Sequence, residues 1–128
     1  MTIRIFVLPT QYDIIDFRQG RRPENILVRD FAGAIELQAY ENGIDAILDQ
    51  YDRIEDLAVS GLKVVYTRRS EDPEAEAVAH AVEIEFATPA ELAAYCKGLE
   101  DAEGYAAPLL VDDADDRCDQ LLAWSAAS

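Results

Sequence analysis

A ten-residue pattern occurs twice in the chain and constrains its fold more than any other feature. Residues 36–45 and 91–100 both read Glu-Leu-x-Ala-Tyr-x-x-Gly-(Leu/Ile)-(Glu/Asp). The same alignment places Phe31 on Phe86 without a gap. The leucine and tyrosine of the pattern are three residues apart, which is typical of the apolar stripe of a helix. We therefore predict two equivalent helices, each following a strand.

Apolar runs and alternating segments predict the strands that surround these helices. The predicted strands are 3–8, 26–31, 62–67, 78–86 and 107–111. The fourth is the clearest, because apolar residues alternate there with alanine and glutamate, as in a half-buried strand. The third and fourth strands, with the polar turn 68–74 between them, predict a hairpin. Segment 12–18 fits either a short strand or one turn of helix that buries Ile14, Ile15 and Phe17.

Three helices are predicted from periodicity and from residues that favour helix starts. They span 34–51, 88–103 and 112–126. The second begins with Thr88, Pro89 and Glu91, which predict an N-cap, a first-turn proline and a capping box. Aspartates at 112–116 open the third helix, where carboxylates complement the helix dipole.

These elements predict an α+β fold in a single domain, 1–128, with an internal duplication. Each repeat is a β-hairpin followed by a helix, the first at about 3–52 and the second at about 62–103, and 107–126 adds a C-terminal strand and helix. We expect one mixed or mainly antiparallel sheet. The repeated helices should pack on one face of it, related by a pseudo-twofold axis.

The formal net charge is −15, and the two halves of the chain share it unequally. Residues 1–70 contain 11 acidic and 9 basic side chains, whereas 71–128 contain 15 acidic and only 2 basic ones. Such a field repels nucleic acid and anionic membranes and attracts basic partners. The predicted partner-binding surface consists of acids in the second half: Glu83, Glu85, Glu100, Asp101, Glu103, Asp112, Asp113, Asp115, Asp116 and Asp119. The alternative is that the acidity only keeps the protein soluble.

The repeated tyrosines and glycines are candidates for a ligand site. Tyr40 and Tyr95 lie on the apolar stripe with hydroxyls that need a partner. Gly43 and Gly98 lie inside helices, where glycine costs about 1 kcal/mol relative to alanine. Glycine in both copies indicates that something approaches the backbone closely. Close helix packing is the favoured explanation, and a symmetric groove formed by these four residues is the alternative.

Other polar residues give weaker indications of a site. The only histidine, His80, is in phase with the inward row of its strand, which favours a core or sheet-edge role over catalysis. The aspartates at 112–119 lack the glycine and the spaced glutamate of a calcium loop, so we predict no metal site. Two arginine pairs, 21–22 and 68–69, lie in predicted loops, where they form a small anion site or offset nearby acids.

Length and composition narrow the class of protein. The sequence has no run of about 18 apolar residues, so no membrane span is predicted. The apolar N-terminus contains Arg4 and lacks a cleavage site, so we interpret it as a strand rather than a signal peptide. Cys96 and Cys118 are predicted to be reduced core thiols. The expected location is the cytoplasm.

The sequence contains no phosphate loop, nucleophile elbow or Cys-x-x-Cys motif, so we expect a protein that is not an enzyme and needs no cofactor. The favoured function is an acidic inhibitor or adaptor that occupies a basic surface of another protein, such as a nucleic-acid-binding surface. Small phage- or plasmid-borne inhibitors often have this composition. One alternative is an assembly module that forms a homodimer through the repeated helices. The other is a small-molecule binder or enzyme with a pocket between the repeats, near Tyr40, Tyr95 and His80.

Overall fold

A computed structural model describes residues 2–74, 79–105 and 107–126 and has the predicted α+β class. In these ranges the strands form two three-stranded antiparallel sheets instead of the single sheet that we expected. The chain divides into two compact units, and each unit contains one sheet. Unit 1 comprises 1–34 and 107–128, and unit 2 comprises 35–106. The boundary between them divides the first predicted repeat.

The elements follow the predicted order, with one strand that was not predicted. In chain order they are β1 (Ile3–Leu8), α1 (Gln11–Arg18), β2 (Leu27–Phe31), α2 (Ala34–Asp45), β3 (Asp52–Ser60), β4 (Lys63–Ser70), β5 (Ala79–Glu85), α3 (Pro89–Ala102), β6 (Leu109–Val111) and α4 (Cys118–Ala126). The unpredicted strand is β3. It pairs with β4 on the side opposite β5, so β3, β4 and β5 form a separate three-stranded sheet. Val78, the first residue of the predicted fourth strand, lies outside the described residues.

The core of unit 1 forms around β1, which lies between β2 and β6 and is antiparallel to both. Residues 5–8 of β1 are all buried, as expected of a central strand. One buried apolar cluster joins β1 to α1, β6 and α4. Its members are Phe6, Leu8, Phe17, Val111 and Leu121. Burial of each such side chain contributes about 1.5–3 kcal/mol.

The ambiguous segment is helix α1, and a capping box explains why it is helical. The Thr10 hydroxyl accepts a hydrogen bond from the Asp13 amide (3.1 Å), and the Asp13 carboxylate accepts one from the Thr10 amide (3.3 Å). These bonds satisfy amides that a helix start leaves without partners. Of the three apolar side chains expected to turn inward, Phe17 is buried and Ile15 is exposed.

Asp13 is 1% exposed and binds a second segment of unit 1. One of its oxygens accepts from the backbone amide of Asn25 (3.0 Å), and the other accepts from the Thr10 hydroxyl (2.6 Å). Burial acts to raise the pKa of this carboxyl, but the hydrogen bonds from Thr10 and Asn25 outweigh burial and lower the pKa below its ordinary value.

In unit 2, β4 is the central strand and is antiparallel to β3 and β5. The β4–β5 pairing confirms the predicted hairpin. Along β5, Val82 and Ile84 are half-buried while Glu83 and Glu85 are exposed, which confirms the predicted alternation. His80 departs from it: this side chain, in the second residue of β5, is exposed rather than part of a buried row.

Helix α2 ends at Asp45, whereas the apolar stripe predicted an end at Tyr51. The amides of Leu48 and Asp49 donate to the buried Asp52 carboxylate, at 2.7 and 3.4 Å. A side-chain acceptor of this kind competes with the helix for backbone donors. Leu48 is consequently 65% exposed rather than part of the stripe.

The unpredicted strand β3 contains a β-bulge. Its register against β4 shifts between Glu55 and Ala58, so that Asp56 and Leu57 together lie opposite Tyr66. Asp56 has a φ of 58°, in the left-handed region that aspartate tolerates better than most residues. A bulge reverses the alternation of the strand that follows it. The apolar residues of β3 therefore lack a period of two, which is why the sequence did not indicate a strand.

The start of α3 is close to the prediction. The Thr88 hydroxyl caps the helix by accepting from the Glu91 amide (3.2 Å), and Pro89 is in the first turn. The Glu91 carboxylate accepts from the Ala87 amide rather than from Thr88, because it reaches one residue beyond the cap. The capping box is thus displaced by one residue.

Helix α4 begins at Cys118, six residues later than the aspartates at 112–116 predicted. The Asp112 and Asp115 carboxylates accept from amides two residues further along the chain (2.9 and 2.8 Å). Such turns offer the backbone an alternative to the helix.

The internal duplication is not confirmed. Helix α2 leads into the nine-residue strand β3, whereas α3 leads into the three-residue strand β6. The two strands belong to different sheets.

Candidate functional site

Helices α2 and α3 are in backbone contact at the repeated glycines. A Cβ atom on Gly43 would overlap the carbonyl oxygen of Tyr95 and lie 3.0 Å from the amide nitrogen that follows Gly98. A Cβ atom on Gly98 would overlap the carbonyl oxygen of Tyr40 and lie 2.9 Å from the amide nitrogen that follows Gly43. The contacts are reciprocal. Close helix packing, the favoured explanation, therefore accounts for both glycines.

The hydroxyls of the repeated tyrosines are both engaged inside unit 2. Tyr40 donates to the Asp101 carboxylate at 2.6 Å, and the hydroxyls of Tyr95 and Tyr66 share a hydrogen bond of 2.7 Å. Burial, together with the bond to Tyr66, raises the pKa of Tyr95 far above its ordinary value. The four residues of the predicted groove thus lie in the packed interior of unit 2.

Two acids of the predicted partner-binding surface have structural roles. Asp101 is only 7% exposed, because it follows Gly98 by three residues and shares its inward face of α3. Glu103 is half-buried, and its carboxylate accepts from the Ile54 amide on β3 at 2.5 Å. Both residues were predicted to lie on the surface because they are charged. The periodicity of α3 would have indicated the buried position of Asp101.

The other predicted acids of unit 2 are exposed. Glu83 forms an ion pair with Lys63, and Glu85 lies opposite Lys63 in the strand register. Glu100 is 72% exposed, with the Lys97 amine 3.5 Å away. Exposed pairs of this kind contribute about 0–1 kcal/mol.

The remaining predicted acids lie in unit 1, in the turn before α4 and in the first turn of that helix. Arg117 anchors this turn: its guanidinium lies 4.0 Å from the centre of the Phe17 ring and donates to the Phe17 carbonyl at 3.2 Å. The backbone amide of Arg117 lowers the pKa of Asp115, and its guanidinium adds to the effect. The other aspartates of the turn and of the first turn of α4 are exposed: Asp112, Asp113, Asp116 and Asp119.

Charge is segregated both between the units and within unit 2. Unit 2 contains 17 acidic and 5 basic residues, a net charge of −12, and unit 1 has a net charge of −3. Strands β3, β4 and β5 hold five of those acids and four of those bases. The described helices and connections of unit 2 hold 11 more acids and only one base, Lys97, while Glu76 lies outside the described residues.

The bases on the strands of unit 2 have local partners. Arg53 pairs with Glu71 (3.4 Å) and Arg69 with Glu55 (3.3 Å), while Arg68 donates to the Ala46 carbonyl (3.2 Å). The second predicted arginine pair is therefore engaged in offsetting acids and in binding a carbonyl.

The first arginine pair is engaged in the same way in unit 1. Arg21 pairs with Asp16 (3.0 Å), and Arg22 donates to the Trp124 carbonyl (3.3 Å). Arg22 and Trp124 border a cavity of about 260 Å³, together with residues 23–27.

The two cysteines are free, as predicted, but they are half-buried rather than in the core. Burial raises the pKa of Cys96, and burial with nearby aspartates raises that of Cys118, so neither is an activated thiolate. Within the described ranges, no three His, Cys, Asp or Glu side chains are placed to hold a metal ion.

A groove on unit 2 contains residues that sequence reasoning did not single out. It lies between β3 and the C-terminal half of α3 and has a volume of about 310 Å³. Its lining residues are Ile54, Leu57, Cys96, Leu99, Glu100 and Glu103. Leu57 was missed because β3 was missed. Recognition of Asp56-Leu57 as a bulge would have been the only sequence signal for it.

Comparisons with models of protein families, with curated proteins and with solved structures found no match to this chain. Over the part of the chain that the structure describes, no helix is both long and apolar enough to cross a membrane.

Proposed function

We propose that this protein is an acidic, non-catalytic binding protein that docks on a basic surface of another protein, such as a nucleic-acid-binding surface. The observation that carries the proposal is the charge segregation within unit 2. The strands are nearly neutral, with a net charge of −1, while the described helices and connections carry −10. Acidity that served solubility alone would not need to be separated in this way from the bases.

This arrangement favours one kind of partner. Helix α2 carries three acids and no base, so a basic surface approaching it meets no opposing cation on that helix. A field of one sign raises the association rate of an oppositely charged protein and repels nucleic acid itself. The proposed role is therefore that of an inhibitor or adaptor in the cytoplasm, where the two free cysteines would remain reduced.

The proposal is tested by capturing partners from host extract on the immobilised protein and then purifying the captured protein. Its affinity should fall by at least about tenfold between about 50 and about 200 mM salt, because paired charges are screened. An affinity that is the same at both salt concentrations would overturn the proposal.

Two variants with equal net charge separate the helix acids from the strand acids. The test variant is Glu36→Gln, Glu41→Gln and Asp45→Asn on α2. The control variant is Glu55→Gln, Glu83→Gln and Glu85→Gln on the strands. The proposal departs here from the surface predicted from the sequence, because Lys63 offsets Glu83 and Glu85. We expect the test variant to weaken binding by about tenfold and the control by about twofold or less. Equal losses would show that only net charge matters.

A further inference from the structure

The groove between α3 and β3 combines an apolar floor with an acidic rim. Ile54, Leu57 and Leu99 supply the floor, and Leu57 is 47% exposed. Glu100 and Glu103 stand at the rim. A volume of 310 Å³ is at the lower end of the range of about 300–1,000 Å³ found for ligand pockets, which is room for anchoring side chains rather than for a folded partner.

The β3 bulge brings Leu57 to this groove. In a regular strand, residues three apart point to opposite faces. Because Asp56 and Leu57 together oppose one residue of β4, Leu57 lines the same groove as Ile54. The bulge uses a left-handed Asp56, a conformation that costs about 1 kcal/mol. Bulges that re-aim a side chain in this way are concentrated near functional sites.

The end of α3 makes the rim attractive to cations. A helix C-terminus carries a partial negative charge that a lysine or arginine in the last turn usually offsets. The last turn of α3 contains no basic residue and leads into Glu103. Glu100 adds a full charge there, and its exposed pair with Lys97, at 3.5 Å, is weak enough for an incoming cation to replace.

We propose that this groove binds a segment of the basic partner that places one or two large apolar side chains on the Ile54–Leu57–Leu99 floor and flanking lysines or arginines on Glu100 and the end of α3. This inference rests on the proposed function and assigns the contact that gives it specificity. The acidic helices attract a basic protein, and the groove selects a segment in which apolar and basic residues are combined.

The test uses two synthetic peptides of about 14 residues, long enough for a few turns of helix. One contains only leucine and lysine at helical spacing, and the other has serine in place of every leucine. We expect the full chain to bind the leucine peptide at least about tenfold more tightly, because a buried leucine contributes that much. Leu57→Ser should abolish this preference, and Glu100→Lys should weaken binding of the leucine peptide by about tenfold.

Matched controls lie away from the groove. Val65→Ser on β4 also replaces an exposed apolar residue, and Glu24→Lys in unit 1 makes the same change in net charge as Glu100→Lys. Both should keep the affinity within about twofold of that of the original chain. Alkylation of Cys96 in the groove should also slow when the leucine peptide is bound, while Cys118 in unit 1 serves as the internal reference.

The outcomes separate this inference from the proposed function. If both peptides bind equally with a steep salt dependence, or if bound peptide leaves Cys96 alkylation unchanged, the groove is not the site and the proposed function stands. If neither peptide binds at about 50 mM salt, both proposals fail.

Discussion

The two units of the protein bury their polar groups in different ways. Unit 1 has an apolar cluster, and its one fully buried carboxylate, among the described residues, is Asp13 in a helix-capping box. Unit 2 has two helices in backbone contact and a hydrogen bond between buried residues of those helices, Tyr40 and Asp101. Unit 2 also has four times the net charge of unit 1. Unit 2 should therefore tolerate fewer changes in its interior and respond more to salt.

The largest effect is expected at the glycine contact. Gly43→Ala and Gly98→Ala should each lower the free energy of unfolding by about 3 kcal/mol or more, because the new methyl group meets backbone that cannot move independently. The reciprocal contacts predict similar losses at both positions. Chemical denaturation measures them. Gly61→Ala is the control: its φ of 62° strains the backbone but nothing lies within 4 Å, so the loss should be only about 1–2 kcal/mol.

The buried carboxylate of unit 1 is expected to come next. Asp13→Ala should cost about 3 kcal/mol at neutral pH, because the donors of Thr10 and Asn25 lose their acceptor. The pKa of Asp13 is lowered in the folded state, so its contribution is complete above the unfolded pKa of about 4 and is lost as pH falls through the folded pKa. The difference in the free energy of unfolding between the variant and the original chain should thus become smaller below about pH 4. A difference that stays constant down to about pH 2 would contradict this assignment.

The two tyrosines distinguish a bond to a carboxylate from a bond to a hydroxyl. Tyr40→Phe should cost about 2 kcal/mol, because it removes a donor from the buried Asp101. Tyr95→Phe should cost about 1 kcal/mol, because its partner is the neutral Tyr66 hydroxyl. Combining Tyr40→Phe with Asp101→Asn in a double-mutant cycle isolates the pair. Equal losses in the free energy of unfolding for the two tyrosine variants would show that the bond to the carboxylate is no stronger than the bond to the hydroxyl.

The smallest effect concerns salt. Raising the salt concentration from about 50 to about 500 mM should slow amide exchange in unit 2 more than in unit 1, because screening relieves the repulsion between its acidic side chains. The corresponding gain in the free energy of opening should be less than about 1 kcal/mol. An equal change in amide protection with salt in both units would show that the charge of unit 2 does not oppose its folding.

Prediction from the sequence succeeded where one element decides its own structure. The buried run of β1, the alternation at Val82 to Glu85, and the cap at Thr88 each depend on neighbours within a few residues. The Thr10–Asp13 pair was also present in the sequence and would have identified α1 as a helix.

Prediction was wrong where a local pattern was ambiguous or a distant contact decided the outcome. The apolar residues of 47–51 continue the helical spacing of α2, so the helix was extended past the point where the Asp52 carboxylate takes the backbone donors. The bulge interrupts the alternation of β3, so this strand was missed. Asp101 was placed on the surface because its charge was considered without its position on α3. The groove depends on β3 and α3 meeting in space, which no local pattern indicates.

The sequence by itself determined the α+β class, most element starts and the acidity, because these follow from composition and short-range periodicity. It also marked Gly43 and Gly98 as unusual without saying why. Only the tertiary structure decided that strands pair into two sheets, that the repeated glycines let α2 and α3 touch, and that four of the five bases of unit 2 lie on its strands. The physical reason is that strand pairing, backbone contact and charge neighbourhoods depend on residues far apart in the chain.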